Sequence, residues 1–133
     1  MKLLLDTQLL LWAAGSDVAG AGGLSAEAAA LIDDPDNELW FSAASLWEVA
    51  IKNGLGRKDF RADAHLLRRG LLDNGYVDLP ISSEHAVAVS GLPDRHKDPF
   101  DRILVAQATV EGVTLLTCDP VVAAYPGPIR KVS

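Results

Sequence analysis

The sequence predicts an α/β fold with a central parallel β-sheet, and three observations predict it. Short, continuously apolar runs such as Leu3-Leu4-Leu5 and Val113-Thr114-Leu115-Leu116 read as strands covered on both faces. Segments of helical period alternate with these runs, which implies right-handed parallel βαβ units. Two of the runs end in an acid, Asp6 and Asp119, where open α/β sheets hold their ligands. At 133 residues and 49% hydrophobic, the chain is expected to form one domain over residues 1–133 with a true core.

The elements follow in order. Lys2 to Leu5 is the first strand, and Asp6 either caps the helix from Gln8 to Ala14 or serves a site. Gly15 to Ser25 is a glycine-rich loop. It makes a poor phosphate cradle, because Ser25 stands where the third glycine of a G-x-G-x-x-G pattern belongs and no strand abuts it. Ser25 caps a helix to about Asp33, and Asp34-Pro35-Asp36-Asn37 turns the chain into a strand at Leu39-Trp40-Phe41. Ser42 then caps a helix from Ala43 to Asn53 that Gly54 ends. A further helix spans about Ala62 to Leu72, with Leu66 and Leu67 facing the core. Tyr76 to Leu79 is a third strand, and Ser82 opens a helix to about Gly91. Asp98-Pro99 starts a buried helix, Phe100 to Glu111, that stops at Gly112. Val113 to Thr117 is a strand, Asp119-Pro120 begins another helix, and Ile129 to Val132 is a weak last strand.

Composition excludes several classes. The single Cys118 rules out an internal disulfide framework and a cysteine-rich zinc site, which suits a reducing cytoplasm. No run approaches the ~18 uninterrupted apolar residues of a membrane span. A net charge of −6 disfavours simple electrostatic binding to nucleic acid, yet Asp6, Glu48, Asp98, Asp101 and Asp119 supply most of it. Arg57, Lys58, Arg61, Arg68 and Arg69 are interspersed with Asp59 and Asp63 and read as a solvated face, with a strip for a nucleic-acid backbone as the alternative. His65 and His85 lack partners at metal-ligand spacing and read as ordinary helix residues.

The acids carry the chemistry. Asp6, Glu48 and Asp119 all border strongly apolar segments, where an unpaired charge is costly, and a shared cation would account for them. Glu48 has small neighbours, Ala44 and Ser45, on its own face. The competing reading is a surface pair with Lys52. Asp98 and Asp101 share a face at three-residue spacing. Asp98 is committed as a cap, so Asp101 is the better ligand and Asp98 a possible one. Oxygen ligands without a Cys or His set favour Mg²⁺, with Mn²⁺ as substitute, over zinc. Such a set suits in-line displacement at a phosphodiester. Arg102, with Arg95 and Lys97, flanks the acids and is positioned to hold phosphates.

Four segments together resemble the PIN-domain ribonucleases, specifically VapC-type toxins: Leu3-Leu4-Leu5-Asp6-Thr7, Ser45 to Lys52, His96 to Arg102 with Leu104 to Ala108, and Leu116-Thr117-Cys118-Asp119. The resemblance implies an α/β/α sandwich, a Mg²⁺-dependent endoribonuclease, a homodimer, and inhibition by a small VapB-type antitoxin. It also implies that the acid quartet falls on Asp6, Glu48, Asp101 and Asp119, with Thr117 as the hydroxyl residue before the last acid and a contact for substrate. Gln8 departs from the His often found there. With Leu9, Leu10, Leu11 and Trp12 apolar all round the first helix, surface there and at Trp47 is expected to remain for the antitoxin.

A receiver-type phosphoacceptor module and a metal-free RNA- or protein-binding relative are the alternatives. The first wants an adjacent acid pair where Asp6-Thr7 stands, and the second leaves the complete quartet without purpose. A haloacid-type phosphatase would need Asp at position 8.

Overall fold

A computed structural model describes residues 1–15, 23–55, 62–94 and 98–133. Five strands form one sheet in the order β3-β2-β1-β4-β5: β1 (Lys2–Leu5), β2 (Glu38–Ser42), β3 (Val77–Leu79), β4 (Thr114–Thr117) and β5 (Ile129–Lys131). Every neighbouring pair is parallel. Parallel strands require crossovers, and the helices provide them: α1 (Thr7–Ala13), α2 (Ala26–Asp33), α3 (Ala43–Gly54), α4 (Ala64–Asp73), α5 (Ser83–Ala88), α6 (Pro99–Glu111) and α7 (Pro120–Ala123).

Alternation along the strands sorts the core into two layers. Leu3, Leu5, Phe41 and Leu116 pack with Leu9, Leu10, Val49, Leu67 and Leu71 on one face of the sheet. Leu4 and Leu115 pack with Leu104, Val105, Ala108 and Val122 on the other. Helices therefore cover both faces, and the architecture is the expected α/β/α sandwich. Among the described residues, no helix is long and apolar enough to cross a membrane.

The strand order places the site. From central β1 the chain moves outward through β2 and β3, and β4 and β5 lie on the other side, so the topological switch falls between β1 and β4. Helix α6 ends at Gly112, whose φ of 69° takes the left-handed turn that glycine tolerates, and the chain enters β4 two residues later. Since α6 runs back against β4, its N-terminus sits at the carboxyl edge of the sheet. So does the N-terminus of α3, which Ser42 at the end of β2 caps by accepting from the Ala44 N–H at 3.0 Å.

Several local expectations change. Leu66 does not face the core. It is 62% exposed, while Leu67 and Leu71 carry the packing of α4, whose cap is Asp63. Gly54 is the last helical residue of α3, and Leu55 is its C-cap. Leu9, Leu10 and Leu11 are all at most 2% exposed, and Trp12 packs against the same core. The Leu9, Leu10 and Leu11 side chains of α1 are thus covered by the sheet and its neighbours, and Trp12 is half-buried, so little of their apolar surface is left for a partner. Within the Gly15 to Ser25 loop, residues 16–22 lie outside the described residues, as do Arg57, Lys58 and Arg61 of the basic stretch and Arg95, His96 and Lys97.

Candidate active site

Asp6 follows β1 and caps α1, its Oδ1 accepting from the Leu9 N–H at 2.9 Å. Its Oδ2 accepts from the Thr117 hydroxyl at 2.6 Å. Thr117 lies at the end of the adjacent strand β4, and its Oγ1 also accepts from the Asp119 N–H at 3.1 Å. Asp119 then caps α7 by accepting from the Val121 N–H at 2.8 Å. One hydroxyl thus sets two acids across the switch point.

Asp6 is only 6% exposed, and its carboxyl is pushed up to about 6. Burial is the largest cause, and the negative charges of Asp119 and Glu48 act in the same direction. The hydrogen bonds from Thr117 and Leu9 oppose them. Asp6 therefore feels both Asp119 and Glu48, although the three arise from separate elements.

Glu48 is buried on α3 beside Ser45, which accepts a 2.9 Å hydrogen bond from the Thr7 hydroxyl and so ties α3 to α1. The pair with Lys52 that the sequence offered is present, on a carboxylate that is itself buried. Its Oε2 pairs with Lys52 at 2.8 Å, yet its Oε1 is buried with no hydrogen-bond partner. The Trp47 and Phe100 rings meet in a T-shaped pair with centroids 5.3 Å apart, joining the Glu48 helix to the first turn of α6, where Asp101 is half-buried. Asp98 caps α6, accepting from Phe100 at 2.9 Å and Asp101 at 3.4 Å. Among the described residues, no three His, Cys, Asp or Glu side chains stand close enough to form a ready-made ion site. A cleft between α1, α2 and α4, lined by Ile32, Leu39, Leu67, Leu71 and Tyr76, contains none of the quartet.

Two residues expected to meet substrate have other positions. Thr117 is fully buried and its hydroxyl is spent on Asp6, so it orients a carboxylate. Arg102 donates to the carbonyls of Pro93 at 2.9 Å and Val89 at 3.3 Å and to the Tyr125 hydroxyl at 3.1 Å, and its guanidinium lies over the Tyr125 ring. That planar fork ties α6 to the 3-10 turn at Val89–Gly91. The arrangement also contains a polar residue the sequence reading passed over, Gln107. The signal was available: a Gln within the apolar run Ile103 to Val110 is misplaced unless it is hydrogen-bonded.

The PIN domain family model matches residues 3–128. The chain belongs to the PIN-domain family. Solved structures share the PIN architecture at low identity. One is VapBC2 from Rickettsia felis bound to a DNA fragment from their promoter, at 13% identity and a TM-score of 0.70 over 100% of both chains. Another is VapBC-1 from nontypeable Haemophilus influenzae, at 15% identity and a TM-score of 0.61 over 98% of each chain. A domain of a functionally unknown protein from Methanocaldococcus jannaschii aligns at 13% identity and a TM-score of 0.58, over 99% of this PIN domain and 91% of that chain. No curated protein sequence matches it.

Proposed function

We propose that this PIN domain is a VapC-type toxin of the cytoplasm, a Mg²⁺-dependent endoribonuclease that works as a homodimer and is held inactive by a small VapB-type antitoxin. The observation that supports the reading is the buried Asp6 carboxyl at the switch point, raised further by the charges of Asp119 and Glu48, with Asp101 in the first turn of α6. The donor set suits a hard divalent ion, because carboxylate oxygens dominate and Glu48 Oε1 is a buried acceptor without a donor. Asp6, Glu48, Asp101 and Asp119 would hold the ion, with Asp98 left to its cap. Once bound, such an ion polarises a phosphodiester and supplies a water nucleophile. The protein's own part is orientation: Thr117 holds Asp6, Lys52 holds one oxygen of Glu48, and Ser45 anchors the helix that carries it.

Of the two places expected for the antitoxin, the Trp47 side of α3 is the one we assign to it. Trp47, Ile51 and Leu55 form an exposed stripe at four-residue spacing, 60%, 40% and 69% exposed, with Leu66 exposed on neighbouring α4. A stripe of that kind receives an apolar helix. The test of the activity is cleavage of a structured RNA by purified protein in Mg²⁺, in Mn²⁺ and in chelator. Cleavage that survives chelator would defeat the metal-dependent mechanism, and RNA left intact in Mg²⁺ and Mn²⁺ across several structured substrates would defeat the nuclease reading.

A further inference from the structure

Helix α6 carries one fully buried polar side chain deep in its apolar run, Gln107. Its Oε1 accepts from the Ser42 hydroxyl at 2.6 Å, and its Nε2 donates to the Pro80 carbonyl at 3.3 Å. The same Nε2 lies 3.5 Å from Nδ1 of His85, a ring that is itself buried. That Nδ1 accepts from the Ser82 N–H at 2.9 Å, which assigns the ring proton to Nε2, 2.7 Å from Glu111. A chain of polar groups thus crosses the helical layer from Glu111 to Ser42, and Ser42 is the residue that caps α3.

An amide of this kind is costly to bury without partners and highly directional with them, so it fixes one arrangement of the elements it joins. Those elements are β2, α3 and α6. Helix α3 carries Glu48 and α6 carries Asp101. The apolar contact between them, Trp47 on Phe100, can slide, whereas the 2.6 Å bond from Ser42 to Gln107 cannot stretch without being lost.

We infer that Gln107 is a positioning residue: through Ser42 it sets the start of the Glu48 helix against the Asp101 helix, and so fixes the spacing of two carboxylates of the proposed ion site. The inference rests on the metal-dependent reading above. Gln107→Leu keeps the volume and removes the link from α6, and Ser42→Ala removes it from β2 should the first variant fold poorly. Ser82→Ala is the control. It deletes the cap of α5 at the far side of the network, a comparable structural loss that leaves the bond between Ser42 and Gln107 intact.

The experiment measures Mn²⁺ binding by calorimetry well below each thermal midpoint, together with the fluorine resonance of Trp47 in protein labelled with 5-fluorotryptophan and assigned by its loss in Trp47→Phe. Gln107→Leu and Ser42→Ala are expected to weaken Mn²⁺ binding by about tenfold and to move the Trp47 resonance, with no further loss when combined. Ser82→Ala is expected to lower the midpoint and leave both readouts unchanged. Mn²⁺ affinity equal to wild type in both link variants, or lost equally in Ser82→Ala, overturns the positioning role while the metal reading stands. A wild-type protein with no saturable Mn²⁺ binding defeats the metal reading itself and takes this inference with it.

Discussion

Thr117 and Asp6 are separated by 111 positions in the chain, yet the Thr117 hydroxyl donates to the Asp6 carboxylate at 2.6 Å. The bond exists because β1 and β4 are adjacent parallel strands with Leu5 opposite Leu116, so their carboxyl ends finish side by side. Thr117→Val keeps the shape and deletes the hydroxyl. It is expected to lower RNA cleavage by about 10- to 100-fold through misorientation of Asp6, and to cost roughly 1.5–3 kcal/mol in urea unfolding. Unchanged cleavage would show that the hydroxyl serves the fold alone.

Asp6 also predicts a pH dependence. Its carboxyl lies near 6 in the folded protein against an ordinary 3.8, with burial as the main cause. A raised acid favours the folded state when protonated. Its contribution is therefore complete below about pH 4 and is lost as pH rises through about 6. In chelator, wild type is expected to lose on the order of 2–3 kcal/mol relative to Asp6→Asn between pH 4 and pH 7. Parallel stability profiles for the two proteins would show that Asp6 is not raised.

Asp98 and Asp101 separate by role. Asp98→Asn preserves the cap on Phe100 and Asp101, so both cleavage and thermal midpoint are expected to stay near wild type. Asp101→Asn is expected to abolish Mg²⁺-dependent cleavage, because the amide keeps the volume and loses the charge that holds a cation. Activity lost in Asp98→Asn instead would move the ligand role to Asp98.

The tryptophans separate fold from partner. Trp12 packs into the core, so Trp12→Ala is expected to destabilise by about 2 kcal/mol or more. Trp47 is largely exposed, and Trp47→Ala is expected to weaken antitoxin binding by about 2 kcal/mol with a smaller loss of stability. Full inhibition at unchanged affinity in folded Trp47→Ala would rule out the α3 stripe.

Arg102→Lys tests the last reassignment. A single ammonium cannot reach the Pro93 and Val89 carbonyls and the Tyr125 hydroxyl together. A loss of roughly 1–2 kcal/mol in stability is expected. The salt dependence of RNA binding should not change; a flatter dependence would return Arg102 to the substrate.

Much of this fold is legible in the sequence, because it is local. The apolar runs at Leu3 to Leu5 and Leu115 to Leu116 announce buried strands, and Asp98-Pro99 and Ser42 announce helix starts by a chemistry confined to one turn. The four PIN-like segments pointed to the family in the same way. These features depend on period and on neighbours within a few residues, which the chain order displays directly.

What the order of residues could not display is which surfaces a helix shares with elements far away. Helix α1 looked too apolar for one core face, and only the sheet and the surrounding helices show that Leu9, Leu10 and Leu11 are all covered. Arg102 and Thr117 resembled groups awaiting a ligand until Val89, Pro93, Tyr125 and Asp6 appeared beside them. The physical reason is the same in each case: local pattern decides whether an element forms, whereas a side chain's role is decided by the partners that strand order and helix packing bring to it.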